Sequence, residues 1–143
     1  MHTSRVQFAE KTAAGYVLAQ RFGVPKGTPL FRLVRARIGN GHALAIDDTH
    51  ILYDLIPDVE SIDFSVCSLY TTLEQNSVRL AKAQQVLTVY TMRGEGARVL
   101  ELADGTPVFR IEHQVYNSED QMVEHTLSYV SPARASISSY LKR

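Results

Sequence analysis

Two arginine residues, Arg35 and Arg37, stand close together in an otherwise apolar segment. Alternate side chains of a β-strand point to one face, so both guanidinium groups would share a face with Phe31 and Leu33. Arginine binds carboxylate or phosphate groups through paired hydrogen bonds, and burying it without an anionic partner is strongly unfavourable. The pattern therefore predicts an anion at this face, supplied by the protein or by a ligand.

Two carboxylates are candidates for an internal anion. Asp47 and Glu124 each stand near the middle of a predicted strand that returns after a turn, and counting along the two segments makes them equivalent. Asp47 would pair with Arg37 across a hairpin, and Glu124 would pair with Arg35 or Arg37. The residues alone leave these internal pairs and a ligand role open.

The arginines belong to a repeated segment. GTPLFRL at 27–33 recurs as GTPVFRI at 105–111, with only aliphatic exchanges. Each copy follows a predicted helix, at 13–22 and at 97–102, and continues into a strand and a turn rich in Gly, Asn or Asp. The returning strands are predicted at 43–52 and 122–130. The second copy presents an apolar face apart from His113, and the opposite face of the first copy is also apolar, which predicts a strand covered on both sides.

The segment between the copies differs from both. Residues 54–64 are rich in turn-forming residues, Ser68 suits the start of a helix at 68–75, and residues 80–92 read as a long strand. Two hairpins and a long strand predict an α+β fold with a mostly antiparallel sheet. A chain of 143 residues with 45% hydrophobic content fits one domain, 1–143.

Composition narrows the function. Fifteen basic and fifteen acidic residues are scattered along the chain, so no basic stripe for binding DNA is present. No stretch is apolar enough to cross a membrane, and the N-terminus is too polar for a secretory signal, so we expect a cytoplasmic protein. Cys67 is expected to be a small buried residue, and no metal or other cofactor is predicted.

The order of the motifs resembles the UTRA domain, the effector-binding half of GntR-type transcription regulators of the HutC branch. The resemblance runs from the first helix to Tyr129, over segments that include 27–29, 68–70, 83–85 and 105–107, with Glu124 in the last hairpin. It implies a chorismate-lyase-like fold and a homodimer that binds a small effector. It also implies that DNA is bound only through a separate N-terminal winged helix-turn-helix domain, which we expect to be absent from this chain.

The resemblance further implies a set of ligand-binding residues. The arginine pair would grip an anion, Ser68 would add a hydroxyl group and helix N–H groups, and tyrosine side chains would form a flat wall. The carried-over set is Arg35, Arg37, Asp47, Ser68, Tyr70, Arg79, His113, Glu124 and Tyr129. Taken singly, Ser68 as a helix cap, Tyr70 as a core residue and Arg79 as a solvated turn residue are the ordinary explanations.

The sequence also departs from the family pattern. His113 stands where many members have a further arginine, His125 stands where an aromatic residue is usual, and residues 131–136 lack the usual arginine–aspartate segment. With less positive charge at the site, a neutral sugar, an amino-acid derivative or a small carboxylate joins a sugar phosphate as a candidate effector.

Two other functions are compatible with these residues. A chorismate-lyase-like enzyme would use the two arginines and a nearby carboxylate to bind a small aromatic acid, although no activated nucleophile or metal set is evident. A domain that only dimerises, through the apolar edge at 86–92, would hold the arginines in internal salt bridges with no cavity beside them.

Overall fold

Six antiparallel β-strands form a single sheet in the computed structural model, which describes residues 2–132. The strands are β1 (His2–Ala13), β2 (Pro29–Gly39), β3 (His42–Leu52), β4 (Leu80–Met92), β5 (Thr106–Asn117) and β6 (Met122–Val130). Their order across the sheet is β1-β2-β3-β6-β5-β4, which leaves β1 and β4 at the two edges. The fold is α+β with an antiparallel sheet, as the sequence predicts.

Three short helices and a looped insertion accompany the sheet. The helices are α1 (Tyr16–Phe22), α2 (Leu69–Gln75) and α3 (Gly94–Val99), and two 3₁₀ turns lie between β3 and α2. Each helix within residues 2–132 has at most seven residues, far short of the length needed to cross a bilayer.

The internal repeat extends over the entire sheet. The unit β1-α1-β2-β3 is followed, after the insertion, by an equivalent unit β4-α3-β5-β6. The backbone repeats in detail, since Gly27 and Gly105 both have left-handed φ values, of 92° and 89°. Their N–H groups donate to the carbonyl groups of Ala14 and Met92, each at 2.8 Å. Glycine is required at both positions because side chains disfavour this conformation.

A pseudo-two-fold axis relates the two units. Each hairpin carries a β-bulge whose extra residue is Leu44 in β3 and Val123 in β6, so equivalent residues in these strands are 79 positions apart. Asp48 and Leu127 are equivalent on this count, and they also lie opposite each other where β3 pairs with β6. The axis therefore passes through this pair at the centre of the sheet.

This register corrects one sequence-based expectation. The predicted equivalence of Asp47 and Glu124 is wrong, because the second hairpin turn is longer than the first rather than shorter. Asn40 and Gly41 form the first turn with left-handed φ values, whereas the second turn has Asn117 accepting hydrogen bonds from the N–H groups of Glu119 and Gln121. Asp47 pairs with Arg35 and Thr126 pairs with His113, the equivalent of Arg35, so Asp47 corresponds to Thr126 instead.

The two faces of the sheet are covered differently. The insertion at 53–79 packs on the face that carries Arg35 and Arg37, and it forms the main core with residues such as Phe31, Leu33 and Ile51. Helices α1 and α3 pack on the opposite face, where Ala36 is fully buried and Val34 and Ile38 pack against the α3 cluster. β2 is thus covered on both sides, as predicted.

Most predicted elements are present. The strands at 80–92 and 122–130 have the predicted bounds, and α2 begins directly after Ser68. The first helix starts only at Tyr16, because β1 continues to Ala13. The predicted helix at 97–102 instead covers Gly94–Val99, and Glu101 takes a left-handed φ of 59° that ends the helical path. β1 was not predicted.

Candidate ligand-binding site

A polar pocket lies between the sheet and the insertion. It has a volume of about 520 Å³ and is bounded by β1 and β2 on one side and by the segment leading into α2 on the other. Its lining includes Arg35, Arg37, Asp47, Ser68 and Tyr70, together with Thr3, Ser4, Phe64, Ser65, Val66, Cys67 and Leu69. Five of the nine sequence-predicted site residues therefore meet at one cavity.

An ion pair forms the floor of this pocket. Arg37 donates from Nε to Asp47 Oδ2 at 2.7 Å, and Ser128 donates to Asp47 Oδ1 at 2.7 Å. The pair is diagonal across the hairpin, since Arg37 lies opposite Ala45. The Asp47 side chain is only 2% exposed, whereas that of Arg37 is 30% exposed. The carboxylate is thus an internal anchor, and part of the guanidinium group remains accessible from the pocket.

Arg35 supplies a second guanidinium group beside this pair. It lies directly opposite Asp47 in the hairpin register, on the same face, and is 9% exposed. Both arginines and a single carboxylate, Asp47, line the pocket, so its lining carries an excess of one positive charge. Such an excess favours an anionic ligand, and the burial of Arg35 strengthens its interaction with one.

The insertion forms the opposite wall. The Ser68 hydroxyl accepts a hydrogen bond from the Thr71 N–H at 3.3 Å and caps α2, as predicted. Phe64 anchors the segment before α2 by packing against Phe31, with ring centroids 6.0 Å apart. The half-buried Tyr70 packs against the main core while also lining the pocket. The wall thus combines an aromatic surface with exposed hydroxyl groups.

Sequence comparison identifies the family to which this chain belongs. The UTRA domain family matches residues 1–136. The chain is a UTRA domain. The resemblance inferred from its motifs is thereby confirmed, and the domain is of the type found in GntR-family, HutC-type transcription regulators.

One similar protein is a DNA-binding regulator. This UTRA domain is 27% identical over 127 residues to the HTH-type transcriptional repressor NagR of Bacillus subtilis (strain 168). The match covers 88% of this chain and 52% of the repressor, so the chain spans about half the length of that relative.

Solved structures share the fold. The effector domain of PhnF from Mycobacterium smegmatis superposes with a TM-score of 0.89 at 19% identity, covering 95% of this chain and 84% of that one. The C-terminal domain of the histidine utilization repressor from Pseudomonas syringae pv. tomato superposes with a TM-score of 0.88 at 21% identity, covering 96% of each chain. Identities this low establish the architecture of the UTRA domain and leave its ligand open.

Two predicted site residues lie away from the pocket. Arg79 is exposed and lines a separate shallow depression with Glu74, Ser77 and Val78. Tyr129 lies on the opposite face of the sheet, where its ring packs against Tyr90 with centroids 5.1 Å apart. The structure does not bring either side chain to the arginine pair.

His113 and Glu124 lie on the same face of the sheet as Arg35 and Arg37, but both side chains are buried. His113 is 2% exposed and its Nδ1 lies 3.0 Å from the side-chain nitrogen of Gln85. Glu124 is fully buried and accepts a hydrogen bond from the Thr126 hydroxyl. Neither lines the cavity, so in this structure both belong to a polar network within the sheet rather than to the pocket wall.

Several lining residues were not anticipated from the sequence. Thr3 and Ser4 come from β1, which was not predicted, and Ser65 lies in the turn before α2. The expectation that Cys67 is buried is wrong, because it sits in the same exposed turn, where its N–H donates to the Asp63 carbonyl. Extending the repeat to the N-terminus would have revealed β1 as the counterpart of β4.

Proposed function

We propose that this UTRA domain is an effector sensor that binds a small anionic molecule in the pocket between β1, β2 and the insertion. The observation that supports this most directly is the partly exposed Arg37 beside Arg35 in a cavity with a single carboxylate, Asp47. A carboxylate or phosphate group would bind the accessible guanidinium surface, while the hydroxyl groups of Ser65 and Ser68 suit a polar body. Sugar phosphates, amino-acid derivatives and small carboxylates fit better than neutral sugars.

The effector would act on a separate winged-helix domain, in the cytoplasm. A ligand changes DNA affinity only if it binds two arrangements of the regulator with different affinity. The insertion provides the structural means, because it forms one wall of the pocket while β1 and β2 form the other. Closing the two walls around a ligand would alter the position of β1, the strand nearest to the N-terminus.

We also propose that the domain forms a homodimer through the edge of β4. Val86, Leu87, Val89 and Tyr90 are all exposed on this strand. At the position equivalent to Val89, β1 carries the charged residue Lys11. Charged side chains protect an edge strand from pairing, and β4 lacks this protection over most of its length. Pairing of β4 with its copy would extend the sheet across a two-fold axis.

Thermal unfolding in the presence of candidate ligands tests the sensor. The panel comprises sugar phosphates, neutral sugars, amino-acid derivatives, urocanate and small carboxylates. A ligand at about a hundred times its dissociation constant stabilises the folded domain by about 2.7 kcal/mol, which raises the unfolding midpoint measurably. We expect an anionic member of the panel to do so with the wild-type chain.

The variants locate the binding site. Arg37→Gln combined with Asp47→Asn removes the ion pair without leaving a buried carboxylate unpaired, and it should abolish the ligand-induced shift. Arg98→Gln is the matched control, because Arg98 is exposed and pairs only with the exposed Glu95 in the described structure. A shift that persists in the double variant would refute the assignment of this pocket.

The domain is proposed not to be an enzyme. The regulator relatives argue for sensing, and a lyase would be detected directly by turnover of chorismate. An increase in product that requires Arg35 and Arg37 would replace the sensor proposal with the enzymatic one.

A further inference from the structure

A second cavity lies on the opposite face of the sheet. It has a volume of about 310 Å³ and lies over the sheet centre, bounded by α1 on one side and by β4 and β5 on the other. Asp48 and Leu127, the pair on the pseudo-two-fold axis, are in its lining. It shares no lining residue with the polar pocket between β1, β2 and the insertion, which we call the effector pocket. A ligand in this second cavity would therefore contact a different set of residues.

The internal repeat allows two arginines near this cavity, Arg32 and Arg110, to be compared. Arg32 and Arg110 are equivalent residues of the repeated heptapeptide, and each guanidinium group lies over an aromatic ring. The distances are 5.1 Å from Arg32 to the Phe8 centroid and 5.0 Å from Arg110 to the Tyr90 centroid. Each arginine therefore makes a cation–π contact, although Phe8 and Tyr90 are not at equivalent positions of the repeat.

The two arginines differ in their anionic partners. Arg32 donates from Nε and Nη2 to the two oxygens of Asp48, at 3.0 and 2.9 Å. The position equivalent to Asp48 is Leu127, and within residues 2–132 no salt bridge involves Arg110. Tyr129 lies beside Arg110. Burial raises the pKa of Tyr129, and the charge of Arg110 opposes this rise. A neutral phenol, however, leaves the charge of Arg110 unbalanced.

The other charges around the cavity are already paired. Glu112 contacts both Arg21 and His125, with its oxygen 2.7 Å from His125 Nε2. Burial would raise the pKa of Glu112, but hydrogen bonds from His125 and Gln114 and the charge of Arg21 hold it below its usual value. The lining carries two arginines, Arg21 and Arg110, and two carboxylates, Asp48 and Glu112, while Arg32 pairs with Asp48 from outside the lining. Because Glu112 pairs with Arg21, Arg110 is the arginine of the lining that makes no salt bridge within residues 2–132.

We propose that this cavity binds a small monocarboxylate with an apolar body. Its carboxylate would pair with Arg110 and take the role that Asp48 plays for Arg32. Its apolar body would pack against Val17, Leu18 and Val86, which form an apolar part of the lining. This is a binding site separate from the effector pocket.

The experiment uses benzoate as the probe and benzyl alcohol as its neutral analogue. Two-dimensional amide NMR spectra of the 143-residue chain are recorded during titration with each compound. Benzoate should cause saturable shifts at Arg110, Leu127 and His125, and benzyl alcohol should not. Inorganic phosphate serves as a further probe, and we expect it to bind more weakly because it cannot use the apolar part of the cavity.

Variants on the two faces of the sheet separate the two sites. Arg110→Gln should weaken benzoate binding at least about tenfold, because a charge-assisted hydrogen bond contributes that much. Arg37→Gln, in the effector pocket, should leave the benzoate affinity unchanged. Val17→Trp is a second test that spares the charges and the β4 edge, since this exposed residue of α1 can accept a larger side chain that would fill the cavity. It should also weaken binding.

Three results would overturn the proposal. These are the absence of saturable benzoate shifts, shifts confined to Ser68 and its neighbours, and equal affinity in the wild type and both cavity variants. Shifts at Ser68 that disappear in Arg37→Gln would instead support the effector pocket as the carboxylate site. The proposal for the second cavity is therefore tested by the amide signals of Arg110, Leu127 and His125, and the proposal for the effector pocket by those of Ser68 and its neighbours.

Discussion

The Thr49 and Thr126 hydroxyl oxygens lie 2.8 Å apart where β3 pairs with β6, and both residues are buried. Thr126 donates its hydroxyl hydrogen to Glu124, so the hydrogen between the two threonines comes from Thr49. A chain of hydrogen bonds thus runs from Thr49 through Thr126 to a fully buried carboxylate.

This direction predicts unequal effects of two similar substitutions. Thr126→Val removes a donor from the buried Glu124 and should lower the free energy of unfolding by about 2–3 kcal/mol. Thr49→Val removes only a donor to a neutral hydroxyl and should cost about 1 kcal/mol. Urea denaturation measures both, with Thr88→Val on the exposed β4 as the control. Equal losses at the two positions would contradict the proposed direction.

Breaking the Arg37–Asp47 ion pair should lower the free energy of unfolding by more than breaking an exposed ion pair would, because Asp47 is buried. Arg37→Gln leaves the buried Asp47 carboxylate without this partner and should destabilise the fold by about 3 kcal/mol. Adding Asp47→Asn removes the charge, so the double variant should regain part of the loss. Chemical denaturation of both variants tests this, and a double variant less stable than the single one would argue against it.

His50 should make the domain less stable in mild acid. Burial, aided by the charges of Arg32 and His125 and opposed by Asp48, lowers its pKa from 6.5 to about 4. The unfolded chain therefore binds the proton more readily, so stability is fully present above about pH 6.5 and declines as the pH falls towards 4. Allowing for its partial exposure, the loss is on the order of 2 kcal/mol.

The measurement is the free energy of unfolding between pH 7 and 4.5. His50→Gln should flatten this dependence, whereas His42→Gln, an exposed histidine beside Glu101, should not. Glu112, whose pKa is lowered, loses its contribution mainly at lower pH and does not interfere in this range. An unchanged slope in His50→Gln would show that other groups control the acid sensitivity.

Dimerisation through β4 predicts the effect of one edge substitution. Val89→Lys introduces the residue type that the equivalent position in β1 already carries, Lys11. Because Val89 is 70% exposed, the change should leave the fold intact while placing like charges at the proposed interface. Sedimentation equilibrium should show a dimer for the wild type and a monomer for the variant. Gln7→Lys on β1 is the control and should remain dimeric.

Much of the sheet follows from local sequence signals, and its exceptions have physical causes. The hairpins and β4 are predicted because alternating apolar residues are bounded by turn formers. β1 is not, since its residues are mostly exposed and of mixed charge, and its strand conformation comes from pairing with β2. The bulges at Leu44 and Val123 are likewise invisible in composition, and they determine which residues of the two units are equivalent.

The site was predicted only in part for related reasons. Arg35, Arg37 and Asp47 follow from alternation along a hairpin, and Ser68 follows from helix capping. The same alternation places Tyr129 on the face opposite to Glu124, because the two residues are separated by an odd number of positions in one strand. Arg79 lies in the turn before β4 rather than over the arginine pair, and only the path of the insertion reveals this.

Asp47 and Asp48 are consecutive residues, yet each binds an arginine on a different face of the sheet. One peptide unit of β3 thus connects the effector pocket to the second cavity. If a ligand displaces this unit while binding on one face, the affinity on the other face changes by the same factor in both directions, as linkage requires. β3, a central strand of the sheet, would then couple two ligands that bind on opposite faces and do not contact each other.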